Sequence, residues 1–126
     1  MTEKIIHQQI CTYIDMQYPG IMYTSDPSGA RVSIGLRMEF KRKRCKGWKI
    51  PDLLILAPAG RYYGLMIEIK KKGEKIFAKD GNFKTEHLRE QSIALGHLCD
   101  IGYEALFAFG FDDAKRIIDN YFKITV

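Results

Sequence analysis

The chain has 126 residues, 46% of them hydrophobic and spread along its length, which suits one compact domain, 1–126, with one core. No apolar run approaches the roughly 20 residues needed to cross a bilayer, and MTEKIIHQQ lacks the basic-then-apolar layout of a signal peptide, so a cytoplasmic protein without a membrane role is expected. The widely spaced Cys11, Cys45 and Cys99 suggest neither a disulfide framework nor a zinc site, and the formal charge of +5 favours an anionic partner.

Residues 3–18 place Ile6, Ile10, Tyr13 and Ile14 at helical spacing, with Thr2 as N-cap and Pro19-Gly20 as a stop. At 100° per residue Glu3 falls within that apolar stripe, so its carboxylate either points inward or meets water at a frayed first turn. A short strand is expected over residues 21–23, and SDPSG at 25–29 reads as a loop. From Val32 to Phe40 strict alternation argues strand, whereas Arg37, Met38, Glu39 and the lysines that follow favour helix; the expectation is a helix over about 34–45.

KRKRCKGWK, residues 41–49, follows, with six Lys or Arg in nine positions, and KKK stands at 70–72. Such runs are often no more than a solvated face, and a membrane-surface helix would need bulky apolar residues opposite the charges. Phosphates suit them better, which makes Arg42, Lys43, Arg44, Lys46, Lys49, Lys71 and Lys72 candidate nucleic-acid contacts. Trp48, Tyr62 and Tyr63 could stack on bases, although packing is the plainer reading. His7, His87 and His97 are spaced too irregularly for a metal motif.

Between the basic runs lie two apolar β runs, Asp52 to Ala57 and Tyr62 to Ile69, joined by the turn APAGR. A polar connection from Lys71 to Lys84 leads to a helix over 85–101, with Leu88, Ile93 or Ser92, Leu95, and Leu98 or Cys99 inward and Gly102 closing it. A strand over Glu104 to Phe109 and a helix over 112–122, with Ala114, Ile117, Ile118 and Tyr121 inward, complete an α/β chain with a mixed sheet.

Charges interrupt this pattern in IPDLLIL and IEIK. Residues two apart on a strand share a face, so Glu68 and Lys70 project together, and the hairpin can bring Asp52 alongside Glu68. Two converging carboxylates offer the hard oxygen ligands that Mg²⁺ or Mn²⁺ takes, and Lys70 beside them could hold or help deprotonate a water, or balance transition-state charge. The plainer reading is a Glu68–Lys70 salt bridge on a solvated strand end.

IPDLLIL, IEIK and EQSIALGHLCDIGYEALFAFGFDDAKRIIDNY together resemble the virus-type replication-repair nuclease domain, VRR-NUC, a branch of the PD-(D/E)xK superfamily. The resemblance spans nearly the whole chain and implies a PD-(D/E)xK restriction-endonuclease-like core, a mixed β-sheet flanked by helices. It implies that Asp52, Glu68 and the Ile69 carbonyl hold the metal, that Lys70 is the catalytic lysine, and that Gln91 and Glu3 match accessory positions on flanking helices. Relatives commonly carry a glycine at the PD, whereas here Lys49-Ile50 separate it from Gly47-Trp48. Stand-alone members of phage or bacterial type act on branched DNA such as four-way (Holliday) junctions. Cutting two strands symmetrically requires two sites and hence a homodimer. The expected activity is a Mg-dependent, structure-selective DNA endonuclease, with a role in DNA repair implied. The alternatives are a non-catalytic DNA-binding module and a flap or duplex nuclease of restriction or host-DNA-degrading type.

Overall fold

The structure, a computed structural model, describes residues 1–26 and 32–123. Part of the expected 25–29 loop therefore lies outside the described residues. Helix α1 (Glu3–Gln17) opens where the Thr2 hydroxyl accepts the Ile5 N–H at 3.2 Å, the capping bond that its sequence position predicts. Strand β1 (Tyr23–Ser25) lies two residues later than expected, and α2 (Ile34–Arg42) is a helix that buries none of its residues.

Strands β2 (Leu53–Ile55) and β3 (Leu65–Lys70) form the expected antiparallel pair, but both are shorter than the apolar runs. Ala59 and Tyr62 pair with each other as an isolated bridge, and Leu56 N–H turns to the Met22 carbonyl, which takes both strand ends out of the β2–β3 ladder. Gly64 is required just before β3, since a Cβ there would stand 2.8 Å from the Ile55 carbonyl oxygen.

The polar connection is an ordered ribbon. Phe77 bridges Phe83, Ala78 N–H reaches the Asn82 carbonyl at 2.8 Å, and Asp80 accepts the Asn82 N–H at the tip. Helix α3 (Glu86–Asp100), strand β4 (Glu104–Phe109) and helix α4 (Phe111–Phe122) then follow as expected, with β4 parallel to β3. The sheet order is β1-β2-β3-β4, so the chain is α/β with a mixed four-stranded sheet flanked by α1–α4 among the described residues.

Alternation along β3 separates two layers. Leu65, Ile67 and Ile69 join Ile6, Ile10 and Ile14 of α1 and Ala114, Ile117, Ile118 and Tyr121 of α4 in the main core. Met66 points to the other face and packs with Leu95, Ala105 and Leu98 beneath α3. Of the alternatives expected on the inner side of α3, Ser92 and Leu98 are the half-buried members. Its buried stripe is Leu88, Gln91, Ala94 and Leu95, while Ile93 and Cys99 are exposed, because Ile93 lies about 140° around the helix from Leu88. No helix among the described residues is long and apolar enough to cross a membrane.

Candidate active site

The register of the central hairpin sets the site. Leu53 faces Ile67 across β2 and β3, so the next residue outward, Asp52, comes alongside Glu68. Asp52 Oδ2 accepts the Ile69 N–H at 2.8 Å, which continues the ladder with a side chain where the β2 backbone has ended. The Asp52 carbonyl in turn accepts the Asp26 N–H at 2.9 Å. Both ends of Asp52 are thus fixed by backbone donors.

Glu68 is buried, at 4% exposure, on the α3 side of the sheet. Its carboxyl is pushed up to about 9, first by loss of water and then by hydrogen bonding to Asp52 and by the Asp52 charge; Lys70 opposes the shift and Glu3 adds to it. Gln91, one face of α3 away, donates from Nε2 to Glu68 Oε1 at 3.0 Å and to His87 Nε2 at 3.0 Å. Gln91 Oε1 is buried and has no hydrogen-bond partner among the described residues.

Lys70 is buried along its stem, with Nζ 5.9 Å from the centre of the Phe107 ring. No ion pair within 4 Å joins it to Glu68, so the plain salt-bridge reading does not hold. Glu3 is half-buried at the start of α1, and burial raises its pKa while Lys70 lowers it, with Glu74 and Asp52 raising it further. Its carboxylate therefore shares the field of this cluster, as the inward reading of the α1 stripe requires. Asp52, Glu68, the Ile69 backbone, Lys70 and Gln91 meet around one end of β3, and Glu3 lies near enough to feel their charges.

The basic candidates divide. Arg42 is exposed at the end of α2, Lys43 pairs with Glu39 at 2.8 Å, Arg44 with Asp26 at 3.0 Å, and Lys49 with Glu90 at 3.6 Å, while Lys46 Nζ donates to the Lys41 carbonyl at 2.8 Å. Arg44 and Asp26 tie this run to the segment bonded to Asp52. Lys71 and Lys72 are exposed directly after Lys70 and enter no ion pair among the described residues. Gly110, at φ +87, lets α4 start against them, its N–H on the Lys70 carbonyl at 2.8 Å and the site of a Cβ 3.1 Å from Lys72 Cβ.

Sequence reasoning missed His87 and His7. His87 lies four residues before Gln91, one turn back on the same face, a spacing that could have flagged it once Gln91 was singled out. His7 bonds Ser25 Oγ at 2.8 Å; burial lowers its pKa and the Asp52 charge acts against that. Lys75, Lys79 and Lys84 also stand exposed on the ribbon that leaves Lys70.

The cluster suits a small hard cation. Loss of water on burial is the main reason that Glu68 holds its proton, the neighbouring Asp52 carboxylate adds to it, and a divalent ion would offset both. Asp52, Glu68 and the Ile69 carbonyl are the oxygens able to hold it. Among the described residues there is no group of three or more His, Cys, Asp and Glu side chains placed to bind a metal, so any ion here would rest on two carboxylates and complete its shell with a backbone oxygen and water or substrate.

Compared with solved structures, the chain is similar to a protein described as a VRR_NUC domain protein, with a TM-score of 0.72 and 27% identity over 99% of this chain and 91% of that one. No protein-family model and no curated protein matches it.

Proposed function

We propose that this chain is a single VRR-NUC-type nuclease domain, residues 1–126, that hydrolyses DNA phosphodiester bonds with Mg²⁺ or Mn²⁺. The observation that carries the reading is buried Glu68 beside half-buried Asp52, with Lys70 on the same face of β3 and no ion pair between Glu68 and Lys70. The similarity to a VRR_NUC domain protein over almost the full chain supports it.

A divalent ion held by Asp52, Glu68 and the Ile69 carbonyl would supply Lewis-acid polarisation of the phosphate and neutralise the two carboxylates. The chain's own residues do the rest. The Ile69 N–H holds Asp52, and the Gln91 amide, itself braced by His87, holds Glu68, so neither carboxylate has to reorganise when substrate arrives. Lys70 places an ammonium beside the carboxylates, where it balances charge on the phosphoryl group in flight and can steady the attacking water. Gln91 Oε1 is free to accept from that water. Glu3 is near enough for its carboxylate and the Lys70 charge to act on each other, and it adds negative field to the site. Lys71, Lys72 and the 41–49 run guide the phosphate backbone.

Branched DNA is the proposed substrate, and the working form a homodimer, because one chain carries one such cluster and paired cuts on two-fold related strands need two. A cytoplasmic enzyme of phage or bacterial type, acting in DNA repair, fits this reading. The test is incubation with labelled single-stranded, duplex, flap and four-way-junction DNA under Mg²⁺, Mn²⁺ or chelator, with sedimentation at the same concentration. Symmetric paired nicks from a dimer support the proposal. A monomer that cuts junctions no better than duplex would reduce it to a simpler flap or duplex nuclease.

A further inference from the structure

The face of the sheet that carries Asp52 and Glu68 also lines a cavity that the proposed chemistry leaves unused. Its volume is about 300 Å³. Leu54 and Met66 line it from the sheet, two residues along from Asp52 and Glu68, a step of about 6.6 Å on the same face. Trp48, His97 and Tyr103 line it as well. The Trp48 indole is 41% exposed and stacks on the His97 ring, with centroids 4.1 Å apart and planes 13° from parallel. It is the chain's one tryptophan, and it lies in the basic run, between Lys46 and Lys49.

We propose that this cavity is a nucleobase subsite, which takes one unpaired base of the DNA strand whose phosphodiester lies at Asp52 and Glu68. The inference rests on the nuclease reading and gives it a source of structure selectivity. A base has flat apolar faces and suits a partly exposed aromatic pair, and stacking of this kind is indifferent to sequence. The phosphates on either side of that base would meet Lys46, whose ammonium also donates to the Lys41 carbonyl, and Lys49, which they would draw from its 3.6 Å pair with Glu90, and the neighbouring phosphodiester would meet the carboxylates one nucleotide-scale step away. An aliphatic ligand would fill the same volume but gain nothing from parallel rings or flanking ammonium groups. Bases inside a duplex are held by their own stack, whereas arms, flaps and junction centres offer free ones.

Trp48 reports on the subsite directly, since no other tryptophan contributes to the fluorescence. In chelator, so that nothing is cut, the protein is titrated with a forked oligonucleotide and with the same fork carrying abasic sites throughout its arm. The fork with bases should quench Trp48, and the abasic fork should bind roughly 5- to 150-fold more weakly without quenching, the range that base–aromatic stacking spans. Trp48→Ala should erase the difference in affinity, and Trp48→Phe should keep part of it. Equal affinity and equal fluorescence change for the two forks would overturn the subsite even if both variants failed to fold. Should both forks bind alike while Mg²⁺ still supports cutting, only the subsite falls; should neither bind and Mg²⁺ support no cutting, the nuclease reading falls with it.

Discussion

Asp52 and Ile69 are joined by a 2.8 Å hydrogen bond in which a carboxylate oxygen takes the place of a strand carbonyl. Asp52→Ala removes that acceptor and leaves a backbone N–H in a part-buried position, at a cost of about 1–3 kcal/mol. Asp52→Asn keeps an acceptor and removes the charge. Denaturant melts of metal-free protein should therefore place Asp52→Asn near wild type and Asp52→Ala well below it, with both inactive. Equal stability of the two would show that the bond to Ile69 is not what holds this end of β2.

Glu68 links stability to pH. Its folded-state pKa lies near 9, against an ordinary value of 4.5, so between these limits the native protein holds a proton that the unfolded chain has released. The Glu68 contribution to metal-free stability should be full below about pH 4.5 and decline as pH rises towards 9. Glu68→Gln should flatten that decline, and Mg²⁺ should restore wild-type stability most at the alkaline end. Thermal melts across pH with and without Mg²⁺ measure all three; a profile unaffected by Glu68→Gln would locate the linkage elsewhere.

Lys70 is not among the oxygens proposed to hold the metal. Lys70→Met keeps an apolar stem over Phe107 and removes the ammonium. Cleavage should fall by at least about a hundredfold, the scale on which acid–base and charge-stabilising groups act. Calorimetric titration with Mn²⁺ should show affinity unchanged or slightly tighter. Loss of Mn²⁺ binding would mean that the lysine organises the carboxylates rather than the reaction.

Much of this architecture is legible in the sequence because its signals are local. The α4 stripe of Ala114, Ile117, Ile118 and Tyr121 and the span of β4 follow from periodicity alone, and the Thr2 cap from one residue. The facing of Glu68 and Lys70 to one side follows from strand alternation. What local pattern does not supply is which partner covers a face. Ile93 is as apolar as Leu95 yet exposed, because the α3 stripe is set by Met66 and Ala105 beneath it, and Gln91 is buried because Glu68 is there to receive its amide. The alternating residues of α2 read ambiguously for the same reason: with no layer above them, neither period is enforced by burial. His87 escapes a reading of local pattern because its role depends wholly on the burial of Gln91.

The basic residues make separable contributions to salt dependence. Lys71 and Lys72 carry no competing ion pair among the described residues, so Lys71→Gln with Lys72→Gln should lower the log–log salt slope of duplex binding by about 1.8, at about 0.9 for each phosphate no longer neutralised. Lys43→Gln should change it less, since its ammonium is shared with Glu39 at 2.8 Å. Anisotropy titrations over a range of salt give both slopes. An unchanged slope for the double variant would make the lysines after β3 a solubility feature.

The central claim is that the Asp52–Glu68 pair is a metal-dependent phosphodiesterase centre, and the rate of cleavage of labelled junction and duplex DNA by wild type and Glu68→Gln tests it most directly. Wild type should cut with Mg²⁺ or Mn²⁺ and not with chelator, and Glu68→Gln, which retains the hydrogen bond from Gln91 but not the charge, should be slower by at least about a hundredfold, the scale at which even groups supporting a metal ligand act. Cutting by Glu68→Gln at the wild-type rate, or by wild type in chelator, would contradict the account.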